Sequence, residues 1–237
     1  MGNAICKVSF IIPAFNNAAW LPHAVKSCLE QTHKDIEVVI VDDASTDSTP
    51  VYLAWLAKQN DKRIRIIHNS KNMGRSESRN IGNYAATGDI LLVLDADDLA
   101  IETRAEWTLK KMKTCSVCYG GAVVMDVLGN VLNEITAKPI NKDDCIKTKQ
   151  NGIVHSTMAY TKEIAVKYPY KAGKISDLGI DDWEQQIRMI DDGVKFDFIP
   201  DVICAYRVHG AAVTQTRNAD EVAKLKEEIL EGLKCKI

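Results

Sequence analysis

The residues of this chain with the clearest chemical potential are three carboxylates within four positions, Asp95-Ala96-Asp97-Asp98, placed directly after the aliphatic run Ile90-Leu91-Leu92-Val93-Leu94. Five aliphatic residues bounded by Gly88 and a cluster of acids have the pattern of a fully buried, parallel strand whose carboxyl end reaches the surface. Carboxylates this close repel one another, so the turn costs stability unless a cation or bound donor groups compensate. Magnesium and manganese favour hard oxygen ligands, commonly one or two carboxylates completed by substrate phosphates and water. Asp95 with Asp97 or Asp98 supplies such a set, and the partner it implies is a diphosphate. The plain structural alternative is an acidic turn that caps the following helix.

The elements needed to position these acids alternate cleanly over the first hundred residues. Residues 8–12 predict a short apolar strand stopped by Pro13, and 36–41, 63–67 and 90–94 predict three more. Between them, Trp20, Leu21, Ala24, Val25, Cys28 and Leu29 recur on one helical face, with Pro22 tolerated in the first turn. Ser48 or Thr49 can cap a second helix with Pro50 at its first position, its buried face expected to be Val51, Tyr52, Trp55 and Leu56. Residues 76–86 predict a third helix. Strands alternating with helices imply a parallel sheet with right-handed crossovers, and ligands of such sheets bind beyond the carboxyl ends of the strands. Residues 13–17, 42–47 and 95–98 therefore gather along one rim. There Phe15 offers a stacking face for a base and Asp43 an acceptor for a base N–H. The competing reading makes Phe15 a core residue and Asp42-Asp43-Ala44-Ser45 only a helix-entry turn.

The second half has a different pattern. Residues 117–125 and 131–135, separated by Leu128-Gly129-Asn130, predict a hairpin, and 138–150 reads as a polar, irregular, mobile loop. A helix is expected over 181–190, ended by Gly193, followed by two short strands, 196–199 and 202–206, around Pro200. Residues 218–237 predict an amphipathic helix with Val222, Leu225, Ile229, Leu233 and Ile237 in one stripe, expected to pack on its own core. No Gly/Ser/Pro-rich linker or internal repeat separates the halves. The expectation is one continuous fold.

Composition narrows the function classes. A net charge of −2 provides no field for nucleic acid, and no apolar run approaches the ~20 residues of a membrane span. No signal-peptide pattern opens the sequence. Seven scattered cysteines (Cys6, Cys28, Cys115, Cys118, Cys145, Cys204 and Cys235) read as reduced thiols of a cytoplasmic protein. Cys115-Ser116-Val117-Cys118 has half of a zinc spacing, but no second pair completes it, so packing is its expected role. No G-x-G-x-x-G follows the first strand, and neither a P-loop nor a G-x-S-x-G elbow is present.

Five segments in order resemble the inverting family 2 glycosyltransferases. Val8-Ser-Phe-Ile-Ile-Pro-Ala-Phe-Asn16 followed by Ile36-Glu-Val-Val-Ile-Val-Asp-Asp-Ala-Ser-Thr-Asp47 is similar to their opening. Asn72-Met-Gly-Arg-Ser-Glu-Ser-Arg-Asn-Ile-Gly82 resembles N-x-G-x-x-x-A-R-N-x-G, with Ser78 in place of Ala. Leu94-Asp-Ala-Asp-Asp98 matches the D-x-D element. Asp181-Asp182-Trp183-Glu184 resembles E-D-W with Asp in the first position, and Tyr206-Arg-Val-His-Gly210 resembles Y-R-x-H-x. The match is dense over 8–98 and sparser from 181 to 214.

The resemblance implies an α/β chain with the GT-A fold: a Rossmann-like, mostly parallel central sheet, helices on both faces, and a smaller mixed α+β half on the acceptor side. It implies a donor half over 1–98, an acceptor-side half over 99–217 of the same domain, and a C-terminal helix over 218–237. By position, Pro13, Phe15, Asn16, Asp43, Arg79, Asp95 and Arg207 would bind the nucleotide-sugar donor, expected to be a UDP-sugar. Asp97 and His209 would hold Mn2+ or Mg2+, with Arg207 also near the diphosphate. Asp182 would be the general base, with Asp181 one residue away as its rival. A carboxylate must take the proton of a sugar hydroxyl as the new bond forms, and one base opposite the leaving group gives a single displacement with inversion. A metal and Arg207 would stabilise the departing diphosphate.

Taken alone, acids that open a helix are caps favoured by its dipole, and His209 would be an ordinary packed histidine. Trp183 is expected in the core, and the resemblance implies that His155-Ser156-Thr157 lies where family members meet the acceptor. The acceptor implied by the resemblance is a saccharide, a lipid-linked saccharide or a protein, and the expected location is the cytoplasm or the inner face of the membrane. Peripheral membrane contact and a homodimer stay open. The rivals are a sugar-phosphate nucleotidyltransferase and an inactive donor-binding scaffold of the same fold. The first wants a Gly-rich, basic triphosphate loop that residues 13–17 lack, and the second predicts lost acids.

Overall fold

The computed structural model describes residues 6–150, 152–210 and 218–234. Aliphatic strands and amphipathic helices alternate through the first half: β1 (Val8–Ala14), α1 (Leu21–Leu29), β2 (Ile36–Asp42), α2 (Thr49–Lys58), β3 (Ile64–His68), α3 (Arg75–Ala85) and β4 (Ile90–Val93). These strands lie parallel in the order β3-β2-β1-β4. Side chains alternate across a strand, so each strand serves two cores. Phe10, Ile12, Val38, Ile40 and Leu92 pack with Leu21, Val25, Leu53 and Leu56 of α1 and α2. Ile11, Val39, Val41, Leu91 and Val93 pack on the other face with Ile81 and Ala85 of α3. Gly82 explains how closely α3 can lie, because a Cβ there would stand 2.6 Å from Ile11 Cγ2.

The second half extends the same sheet. It comprises β5 (Leu99–Ala100), α4 (Arg104–Lys111), β6 (Val117–Met125), β7 (Val131–Ile135), α5 (Lys142–Thr148), a 3-10 turn (His155–Thr157), β8 (Ala159–Thr161), α6 (Lys162–Lys167), α7 (Lys174–Asp177), α8 (Asp181–Asp191) and β9 (Phe196–Arg207). Beyond β4 the order continues β8-β6-β9-β5, and β7 pairs with β6 at the side. Here β6 and β9 are parallel, whereas β8 runs antiparallel to both β4 and β6. The last described helix, α9 (Ala219–Lys234), packs on α8: Leu230 meets Trp183 and Ile187, and Val222 meets Leu178 and Ile180. Trp183 is buried, as expected. Ile237 and Cys235 lie outside the described residues, and the other six cysteines are free thiols.

Four local expectations are corrected. Pro13 does not stop β1, which pairs with β2 as far as Ala14; a strand tolerates proline near its end. The inward face of α2 is Thr49, Leu53 and Leu56, at i, i+4 and i+7, while Val51 and Trp55 are 71% and 55% exposed and Trp55 stacks on Tyr52. Residues 138–150 are not irregular throughout, because Asn141 accepts the Asp144 N–H and starts α5, whose Cys145 is buried. The two strands expected around Pro200 are one strand. Gly120 pairs with Ile199 and Gly121 with Val202, so Pro200 and Asp201 form a bulge in which the missing proline N–H leaves no gap in the ladder.

Candidate active site

Loops at the carboxyl ends of β1, β2 and β4 wall a cavity of about 640 Å3, within the range of small-ligand sites. Asn16 takes a left-handed backbone, φ 54°, and its side-chain oxygen accepts the N–H groups of Thr46 (2.8 Å) and Asp47 (3.2 Å). The loop after β1 is thereby stapled to the loop after β2. Asp43 holds a third loop: it accepts from Asn69 Nδ2 (2.7 Å), Met73 N and Gly74 N (both 2.8 Å). Phe15 stands on the rim 45% exposed rather than in the core. Pro13, Phe15, Asn16, Asp43, Arg79, Asp95, Asp97, Arg207 and His209 all line this one cavity. Asp182 is not among its walls.

Each acid after β4 has a different partner. Asp95 Oδ1 accepts from Arg79 Nη2 at 2.7 Å, and the Asp95 N–H donates to Ser156 Oγ at 3.1 Å. Burial alone would raise the Asp95 pKa, but the Arg79 guanidinium holds it below the usual carboxylate range. Asp97 Oδ2 meets His209 Nε2 at 2.8 Å. Burial and the neighbouring Asp95 push Asp97 upward despite that contact, so an ionised Asp97 is a site that favours added positive charge. Asp98 is fully buried. Its Oδ1 accepts the Arg207 N–H at 2.8 Å, and burial together with Asp97 and Asp95 pushes it well above the usual range.

The far wall comes from the end of β9. Arg207 donates from Nε to Asp97 O (3.0 Å) and from Nη1 to Asp126 O (2.9 Å), and its guanidinium lies 4.5 Å from the Trp20 ring centroid. Trp20 also stacks with His209, centroids 6.2 Å apart. Trp20 thus orients two side chains, Arg207 and His209, at the cavity, a role hidden in the sequence because it opens the apolar stripe of α1.

The two acids that open α8 are sharply different. Asp181 is 2% exposed and accepts from Arg79 Nη1 (2.7 Å), Ser76 Oγ (3.0 Å) and Arg75 Nε (3.1 Å). Arg75 also donates to Ser176 O, tying α3 to α7. Asp182 is half-buried, and its carboxylate accepts only the N–H of Trp183, 2.7 Å, among the described residues. Arg75 and Ser76 escaped notice in the sequence because they occupy unspecified positions of the N-x-G-x-x-x-A-R-N pattern. His155-Ser156-Thr157 proves to be a buried turn that supports Asp95 through Ser156, and His155 bonds Tyr170 Oη at 3.1 Å.

Among the described residues no group of three His, Cys, Asp or Glu forms a metal cage. Asp97 and His209 are a two-residue oxygen and nitrogen set, which fits a cation whose remaining positions are filled by phosphate and water.

The model of glycosyl transferase family 2 matches residues 9–167. This chain belongs to that family. An uncharacterised glycosyltransferase of Methanocaldococcus jannaschii is 30% identical over 207 residues, covering 85% of this chain and 70% of that protein. The GalNAc(5)-diNAcBac-PP-undecaprenol beta-1,3-glucosyltransferase of Campylobacter jejuni is 29% identical over 143 residues, or 60% of this chain, and the chain spans only 46% of its length. Among solved structures, TarS 1-349 of S. aureus in complex with UDP superposes with a TM-score of 0.67 at 17% identity, covering 96% of this chain and 70% of that one. The mannosyltransferase PcManGT of Pyrobaculum calidifontis in complex with GDP-Man and Mn2+ gives 0.66 at 20% identity, covering 88% and 59%. This member of family 2 therefore has the GT-A fold, and among its described residues no helix is long and apolar enough to cross a membrane.

Proposed function

We propose that this glycosyltransferase moves one sugar from a nucleoside diphosphate donor to an acceptor hydroxyl by a single inverting displacement, with Asp182 as general base. The observation that carries this reading is the division of labour at the start of α8. Asp181 is saturated by Arg75, Ser76 and Arg79, whereas Asp182 keeps acceptor capacity beyond its bond to Trp183 N. A general base needs a free lone pair within reach of the proton it takes. Asp182 lies outside the donor cavity, where a group acting on the acceptor belongs.

Within that cavity Phe15 would stack on the base and Asp43, already fixed by three donors, would present a remaining lone pair to a base N–H. Asp95 would meet the ribose. Arg79 would act from behind it, since 5% exposure leaves little of its guanidinium for direct contact. Asp97 and His209 are the residues that would hold a divalent cation, which when bound supplies Lewis-acid stabilisation of the leaving diphosphate. The Arg207 charge, fixed by Trp20 and the carbonyls of Asp97, Asp126 and Val127, adds electrostatic stabilisation that needs no reorganisation. A UDP-sugar carrying a hexosyl or N-acetylhexosaminyl group is the proposed donor. The relatives include complexes with UDP and with GDP-Man, so the base is chosen by a nucleotide screen. The division into a donor half, 1–98, and an acceptor-side half, 99–217, belongs to the same proposal. The inactive-scaffold alternative predicts lost acids and is disfavoured because Asp95, Asp97 and Asp182 are all present.

Replacing Asp182 by Asn tests the assignment. Donor binding measured by calorimetry should stay within about twofold, while transfer falls by about 10²–10⁴-fold, the usual worth of a general base. Full activity in this variant would remove Asp182 from the mechanism.

A further inference from the structure

Arg79 joins the donor cavity to the start of α8. Its Nη2 donates to Asp95 and its Nη1 to Asp181, both at 2.7 Å, while its buried Nε has no hydrogen-bond partner among the described residues. Two bonds in the plane of a guanidinium fix it along one line and leave it free to pivot about that line. The contact that stops the pivot comes from its face: Arg79 Cζ lies over the Tyr170 ring, 5.4 Å from the centroid. A cation within about 6 Å of an aromatic face is attracted to it, more strongly where water is excluded. Both side chains here are buried.

Tyr170 lies between α6 and α7, outside any helix or strand, yet it is fixed at both ends. Asn80, the neighbour of Arg79 on α3, donates from Nδ2 to Tyr170 O and accepts the Tyr170 N–H at Oδ1, both at 2.9 Å. At the far end the Tyr170 hydroxyl bonds Tyr160 Oη of β8 at 3.0 Å and His155 Nε2 at 3.1 Å. The His155 ring stands edge-on to that of Tyr170, with centroids 5.5 Å apart at 90°. Ser156, next in the chain, accepts the Asp95 N–H at 3.1 Å. These contacts close a circuit. The turn that fixes the Tyr170 hydroxyl also fixes the Asp95 backbone, and Arg79 fixes the Asp95 carboxylate. Functional constellations need support of this kind, since their geometry must hold to within about 0.5 Å.

We infer that Tyr170 is a positioning residue, whose ring face holds the Arg79 guanidinium in the one orientation that reaches Asp95 and Asp181 together. Asp95 lines the donor cavity, and Asp181 fixes the start of α8, whose next residue is Asp182. The role rests on the transferase reading given above. The face is the acting part, because the hydroxyl bonds Tyr160 and His155 rather than Arg79 and serves to hold the ring.

The test reads calorimetric binding of UDP or GDP with Mn2+ across a double-mutant cycle of Tyr170→Leu and Arg79→Gln. Tyr170→Leu should weaken binding by about 3–30-fold, the range that a lost cation–π contact spans. Tyr170→Phe keeps the face and should return affinity to within about twofold of wild type, although the lost hydroxyl bonds lower its melting temperature. A residue that acts through Arg79 has no effect of its own once Arg79 is changed. In the Arg79→Gln background Tyr170→Leu should therefore alter affinity by less than about twofold. Additive losses would overturn the proposal by making Tyr170 a support of the fold alone. So would wild-type affinity in Tyr170→Leu, or an equal loss in Tyr170→Phe, which would move the role to the hydroxyl. If Tyr170→Leu does not fold, phenylalanine analogues of rising fluorine content at position 170 weaken the face at nearly constant shape. Affinity should then fall step by step, and affinity indifferent to fluorination would overturn the proposal. A wild type that binds neither nucleotide would remove the donor reading, and the role of Tyr170 with it. Activity retained by Asp182→Asn would displace the base and leave the Tyr170 result standing.

Discussion

Asp95, Asp97 and Asp98 crowd three carboxylates into one turn, and each finds a different relief: Arg79 for Asp95, His209 for Asp97, and a backbone N–H with a raised pKa for Asp98. Of the three, Asp97 joins partial exposure at the cavity with a raised pKa, and so gains most from a cation. Replacing Asp97 by Asn should reduce Mn2+-dependent UDP binding by at least about tenfold in calorimetry while leaving metal-free binding nearly unchanged; equal loss of both would move the cation elsewhere. The same scale separates Asp181 from Asp182. Adjacent acids at a helix start are indistinguishable as letters, since both suit the helix dipole. They differ only because the chain turns one inward against Arg75, Ser76 and Arg79, residues about a hundred positions away in sequence.

At the scale of elements, strands and helices of the first half were legible because each strand is a short aliphatic run between turn residues. Boundaries moved by one or two residues. The inward face of α2 was only partly legible: Leu56 is buried and Tyr52 packs half-buried on the core as expected, but Val51 and Trp55 face outward and the sheet meets Thr49 and Leu53 instead. Hydrophobicity marks a stripe without saying which edge of it the sheet will cover. Polar ties between elements were equally hidden. Glu37 of β2 accepts from Ser9 Oγ of β1 and from Thr87 N after α3, both at 2.7 Å. Burial raises its pKa, but these two donors outweigh burial and hold it below the usual range. A depressed pKa means that the folded state favours the anion, so this stabilisation is present above the ordinary glutamate pKa and is lost as pH falls through the lowered value. Glu37→Gln should therefore destabilise the protein by about 1–3 kcal/mol at pH 7 in urea unfolding. The gap between variant and wild type should shrink as the pH is lowered through the acid range; a gap independent of pH would make the effect one of packing.

Across the whole molecule, the parallel β1–β4 part and α8 meet through Arg79, which bonds Asp95 on one side and Asp181 on the other. The cavity draws its walls from both ends of the chain, with Pro13 to Asn17 on one side and Tyr206, Arg207 and His209 on another. A ligand there should stabilise the fold as a unit. UDP with Mn2+ at about a hundredfold above its dissociation constant should add ~2.7 kcal/mol, seen as a raised melting temperature that EDTA reverses. A shift that survives EDTA would show that the cation contributes little to binding. The sequence by itself determined the parallel α/β half, the gathering of its loops on one rim and the acids placed there, since periodicity and strand polarity are local properties. Tertiary structure decided which acid is locked and which has capacity to act, that Trp20 orients Arg207 and His209, and that Tyr170 faces Arg79. Those outcomes depend on contacts between residues far apart in the chain, and no local pattern encodes which side chain meets which partner.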